Sequence, residues 1–84
     1  MRGGYPRALA LAEKAVAAAP ASGEAYRMRG SARRFLGDLK NALADYDRAI
    51  QLDPQNHIAW GGRAGTHLKL KELDLALQDA NRAV

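Results

Sequence analysis

Small and apolar residues return at intervals of three and four along this chain, and glycine or proline punctuates the joins between the runs. The pattern predicts five helices, over residues 5–19, 24–36, 39–53, 57–70 and from 73 to the end. The first ends before Pro20-Ala21-Ser22-Gly23. The second stops at Gly37, because glycine accepts the left-handed backbone that closes a helix C-terminus. The third closes at Asp53-Pro54, where proline has no N–H to donate and pushes the residue before it away from helical geometry. Asn56 is placed to cap the fourth. No segment shows a strand pattern, and the short joins make neighbouring helices antiparallel. The fold class is all-α.

The helical pattern is itself repeated. Pro54 follows Pro20 by 34 residues, and the same step links Ala8, Ala42 and Ala76, then Leu9, Leu43 and Leu77, then Val16, Ile50 and Val84. A period in this range marks a stacked array, whose units cannot bury their apolar faces alone. Ala42 and Ala49 lie seven apart on one helix face. Alanine there lets a neighbouring helix approach closely, while Tyr46 fills the space between the two. Ala8, Ala12 and Ala15, and Ala76, Ala80 and Ala83, repeat the arrangement without the ring.

With 84 residues the chain makes one small domain. It has no cysteine, which removes disulfides and thiolate metal sites and suits a reducing, cytoplasmic setting. No apolar run approaches the roughly 20 residues of a membrane span. The net charge of +4 is uneven: residues 1–42 hold 8 basic and 3 acidic residues, and residues 43–84 hold 5 and 6. The excess sits chiefly in Arg27, Arg29, Arg33 and Arg34, which favours an acidic partner.

Residues 23–54 resemble a complete tetratricopeptide repeat. Tyr26 and Trp60 occupy the family's aromatic place, Gly30 and Ala64 its small residue, and Leu36-Gly37 its turn, with Leu70-Lys71 a weaker equivalent. Ala42, Tyr46, Ala49 and Pro54 match the second helix and closing proline. Residues 5–20 resemble the second helix of a preceding repeat, and 57–84 a repeat cut short of its closing proline. The resemblance implies antiparallel hairpins stacked in a right-handed α-solenoid, with residues 1–84 forming a single domain. It also implies that the first helix of each repeat lines a concave face that holds peptides. Carried onto this chain, the partner-binding residues are Glu24, Arg27, Ser31, Arg34 and Phe35 on the second helix. On the fourth they are Ile58, Gly61, Gly65, Leu68 and Lys69. One subclass of the family clamps chaperone C-terminal carboxylates with polar residues. Here Met28, Ile58 and Gly62 stand at such positions, so the chain departs from that pattern.

Arg29 and Asp45 lie eight residues either side of Gly37, and Arg63 and Asp79 repeat them 34 residues on. Antiparallel packing therefore predicts the ion pairs Arg29–Asp45 and Arg63–Asp79. His57 and His67 are ten apart and do not share a helix face, so no metal site is expected, and His67 is assigned to the packing between helices. No cofactor is expected. The serines have no histidine at a useful spacing and adjacent Thr66 and His67 face apart, which argues against an enzyme. The arginines do not form a single stripe, which disfavours nucleic-acid binding. The leading reading is a non-catalytic protein-interaction module that takes a peptide, acidic in character, on its concave face. The second is self-assembly into a homo-oligomer through Leu73, Leu77, Ala80 and Val84, which no following repeat covers.

Overall fold

The computed structural model describes residues 4–83, with side chains described as far as residue 77. It holds four helices: α1 (Gly4–Ala18), α2 (Gly23–Phe35), α3 (Leu39–Leu52) and α4 (His57–Ala83). No strand occurs among the described residues. α2 packs against both α1 and α3, α3 packs against α4, and α2 also touches α4.

The helix ends follow local chemistry. The Ser22 hydroxyl accepts the N–H of Ala25 at 3.2 Å and opens α2. Gly37 closes it at φ 89°. There the Gly37 N–H donates to the Arg34 carbonyl at 3.1 Å and the Asp38 N–H to the Arg33 carbonyl at 2.8 Å. These are the two crossing bonds of a left-handed helix cap. The Asn56 side chain accepts the Ala59 N–H at 3.2 Å and opens α4.

The expectation of five helices is corrected to four. Residues 57–70 and 73–83 form one continuous helix of 27 residues. The repeat register calls for a turn at Leu70-Lys71, but Lys71 stands where the first hairpin has Gly37. A side chain held in the left-handed region costs roughly 1–2 kcal/mol, and lysine is a good helix former. With no glycine or proline at the join, the helix runs on. His67 is consequently exposed rather than packed between helices, since no following helix lies over its face.

The core is built on α3. Ala42, Tyr46, Ala49 and Ile50 are buried together with Ala59 of α4, and Tyr26 of α2 packs against them. Tyr46 is fully buried and reaches into both neighbouring helices. Its hydroxyl shares a 2.9 Å hydrogen bond with the Ser31 hydroxyl on α2. Its ring lies against Gly62 on α4, where an added Cβ would sit 2.7 Å from the phenol oxygen and closer still to the ring carbons. Thr66, also fully buried, spends its hydroxyl on the Gly62 carbonyl at 2.7 Å.

A charge cluster ties α2 to α3. Arg29 donates to both oxygens of Asp45, Nε to Oδ2 at 3.0 Å and Nη2 to Oδ1 at 2.8 Å. Arg33 adds a third bond, Nη1 to Oδ2 at 2.8 Å. The Asp45 carboxylate is almost wholly buried, and hydrogen bonding to it raises the Arg29 guanidinium above its ordinary range despite opposing desolvation. The second expected pair joins Arg63 to Asp79. The side chain of Asp79 lies outside the described residues, and 16 residues of one helix separate the two positions by about 24 Å along the axis. Arg63 instead donates through Nη1 to Asp47 at 3.1 Å.

This packing generates three stability predictions. Asp45→Ala leaves two arginines facing a carboxylate-sized gap and is expected to cost about 3 kcal/mol in urea unfolding, an effect Arg29→Lys reproduces only in part. Gly62→Ala is expected to displace the Tyr46 ring and cost about 1–3 kcal/mol. Gly61→Ala, whose Cβ would meet nothing within 4 Å, is expected to raise stability by roughly 0.5–1 kcal/mol in the same assay.

Candidate functional site

One open groove of about 520 Å³ runs between the C-terminal end of α2 and the middle of α4. Arg34, Phe35, Gly37 and Leu39 line one side, and Gly65, Leu68, Lys69 and Glu72 the other. Helical spacing puts Gly65, Leu68, Lys69 and Glu72 on one stripe of α4, and the left-handed turn at Gly37 brings Leu39 back beside Phe35.

Phe35 is held from two sides. Its ring stacks on that of Tyr5 from α1, with centroids 4.8 Å apart and planes 14° from parallel. The Arg34 guanidinium lies over the ring, Cζ 4.7 Å from the centroid. Gly65 leaves space for the same guanidinium, because a Cβ there would come within 3.1 Å of Nη1. Arg34 Nε is buried with no hydrogen-bond partner, and among the described residues no carboxylate pairs with this arginine. The position is notable, since a buried donor without an acceptor costs roughly 1–3 kcal/mol. Leu68 is exposed at the groove edge. Lys69 and Glu72 make a loose pair at 3.9 Å, both largely in solvent, which leaves the lysine available.

The structure divides the ten residues assigned to partner binding. Arg34, Phe35, Gly65, Leu68 and Lys69 come together in this groove. Glu24, Arg27, Ser31, Ile58 and Gly61 do not line it. Arg27 is committed to Glu24 by a two-pronged bond, both contacts at 2.7 Å. That bond holds the Glu24 carboxyl below its ordinary range and the Arg27 guanidinium above its own, each against desolvation. Asn56 also donates to Glu24 at 3.4 Å, so the pair joins α2 to the start of α4. Ser31 is committed to Tyr46. Ile58 and Gly61 are exposed away from the groove. Gly37, Leu39 and Glu72 line the groove without having been assigned. The signal for Leu39 and Gly37 was the turn, read as a structural stop rather than as a wall.

Of the four residues assigned to self-association, Leu73 and Leu77 are exposed on α4, while the side chains of Ala80 and Val84 lie outside the described residues. On a different side of the molecule, Trp60 donates its indole N–H to the Pro54 carbonyl at 2.9 Å and carries Arg63 over its ring at 4.5 Å. Among the described residues no three of His, Cys, Asp and Glu gather into a metal-binding group, and no helix is long and apolar enough to cross a membrane.

Known proteins are similar to this chain in sequence. The pattern of the tetratricopeptide repeat family matches residues 2–57 and again residues 27–84. The chain is 36% identical over 72 residues, 86% of its length, to the SGT1 homolog of Oryza sativa subsp. japonica. It is 36% identical over 59 residues, 70% of its length, to the STIP1 homolog of Dictyostelium discoideum. It is 34% identical over 58 residues, 69% of its length, to Hsp70-Hsp90 organizing protein 2 of Arabidopsis thaliana. It spans 20% of the first of these relatives and 10% of each of the other two. No solved structure matches the chain. The hairpin closed at Gly37, the 34-residue register and a family match over nearly the whole sequence agree, and the chain belongs to the tetratricopeptide repeat family.

Proposed function

We propose that this chain is a non-catalytic protein-interaction module that holds a partner segment in the α2–α4 groove, and that the segment presents a carboxylate beside an apolar side chain. The observation that carries this reading is Arg34. It is a guanidinium with a buried, unpartnered Nε at the wall of a groove whose other walls are Phe35, Leu39 and Leu68. A guanidinium fork suits a carboxylate, and the neighbouring rings and leucines suit an apolar anchor. Lys69 adds a second positive charge on the opposite wall.

The relatives fit this reading at the level of work done. One is named as an organizing protein of Hsp70 and Hsp90. The chemistry of this groove differs from a polar clamp for a chain terminus, because Ile58 is apolar and Gly62 is the seat of the Tyr46 ring. An internal acidic-apolar segment matches the residues present better.

Fluorescence anisotropy against short peptides that vary an Asp or Glu and a neighbouring Leu or Phe tests the reading. Peptides holding both are expected to bind, and peptides lacking either to bind about tenfold more weakly. Arg34→Gln is expected to remove the preference for the acid by a similar factor. Arg48→Gln, on the outer side of α3, is expected to leave it unchanged. Equal binding of acidic and neutral peptides, or binding untouched by Arg34→Gln, would overturn the proposal.

A further inference from the structure

The groove at Arg34 has two electrically different ends. At one end the Arg34 guanidinium stands level with Gly65, where a Cβ would lie 3.1 Å from Nη1. Glu72 lines the same groove seven residues further along α4. Seven residues are two turns, so Glu72 sits on the Gly65 stripe about 10.5 Å along the axis. Between the two ends the lining is apolar, with Phe35 and Leu39 on the α2 side and Leu68 on the α4 side. An acid held at Arg34 therefore satisfies one end of the groove only.

Glu72 is available to a ligand. Its contact with Lys69 is 3.9 Å long, and the glutamate and lysine side chains are 57% and 67% exposed. A surface pair of this kind is weakly held. Lys69 also lies one turn from Gly65, so a carboxylate bound at Arg34 draws it away from Glu72. Binding an acid then leaves Glu72 without a cation, which the same ligand can supply.

The dimensions decide the ligand's backbone. About 520 Å³ spread over about 10.5 Å corresponds to a channel about 8 Å wide, narrower than the roughly 10–12 Å of a helix with its side chains. An extended strand advances about 3.3 Å per residue and turns successive side chains to opposite sides. Three steps cover the span from Arg34 to Glu72, and an odd number of steps puts the first and last side chains on opposite walls. Arg34 belongs to α2 and Glu72 to α4, so the walls agree with the count.

Resting on the groove reading above, we propose that Glu72 determines specificity by selecting an extended partner segment with a basic residue three positions from its acid and two apolar residues between them. The acid meets Arg34 and the base meets Glu72. The apolar residues face Leu68 on one wall and Phe35 with Leu39 on the other.

Fluorescence anisotropy with the full chain, helix content being checked for each variant, tests the assignment. The probe is the segment Asp-Leu-Phe-Lys in a neutral flexible frame, made in both chain directions. The better direction is expected to bind about fivefold more tightly than its counterpart with glutamine in place of the lysine. Asp-Leu-Lys-Phe is expected to lose that gain, because its base faces the α2 wall. Glu72→Lys is expected to make the glutamine peptide the tighter binder while the preference for the acid persists. A lysine that adds nothing, a gain that survives Glu72→Lys, or an equal gain at both spacings would overturn this proposal and leave the groove reading standing. Indifference to the acid as well would overturn both.

Discussion

The seat of Tyr46 fixes the relation of three helices at once. Its ring is fully buried, its hydroxyl ends on Ser31 of α2, and its far edge rests where α4 has no side chain, at Gly62. Gly30 opens the near side, where a Cβ would come within 3.3 Å of the ring. A buried phenol needs a partner for its hydroxyl, and Ser31 supplies one that a solvent-facing reading of that serine would leave unused. Because α2 and α4 both register against this one ring, the separation of their facing stripes is set, and with it the width of the groove between Phe35 and Leu68. The alanines at 42, 49 and 59 allow the backbones to come close, but they do not specify the register; the ring does.

Electrostatics sharpen what that geometry leaves open. The chain carries an excess of positive charge, yet most of its central arginines are taken. Arg29 and Arg33 converge on Asp45, Arg27 is bound to Glu24, and Arg63 leans on Asp47. Buried and bidentate pairs of this kind hold an arrangement more than they stabilise it, since the desolvation of the carboxylate offsets much of the attraction. Their effect on function is subtractive: they remove charge from the surface and leave Arg34 as the guanidinium at the groove. A diffuse basic face thereby becomes a localised one, and the carboxylate preference proposed for the groove rests on that localisation.

Much of the hairpin was legible because local and repeat signals agree there. Gly37 turns and Pro54 stops, and Pro54 keeps the 34-residue step from Pro20. The sequence alone also placed Arg29 opposite Asp45, because equal distances from a tight turn must face each other in antiparallel helices. Where the two kinds of signal conflict, chemistry within a few residues wins. Leu70-Lys71-Glu72 occupies a turn position in the register but contains only helix-compatible residues, and the helix continues. His67 was misplaced as a consequence of that one join. At the groove, five of the residues assigned on the inner helices, Arg34, Phe35, Gly65, Leu68 and Lys69, line one cavity. The assignment could not tell that Arg27 and Ser31 were already engaged, because those bonds depend on where Glu24 and the Tyr46 hydroxyl end in space.

The straight α4 follows from the cost of the alternative. Folding back at the join must put Lys71 or a neighbour into the left-handed region, at roughly 1–2 kcal/mol, and must break helical hydrogen bonds there without a capping residue such as Asn56 to replace them. Gly37 meets neither cost at the first hairpin, because glycine accepts the positive φ it adopts and its N–H and that of Asp38 satisfy the carbonyls left by the helix end. One position, glycine in the first hairpin and lysine in the second, therefore decides whether the chain turns or runs on.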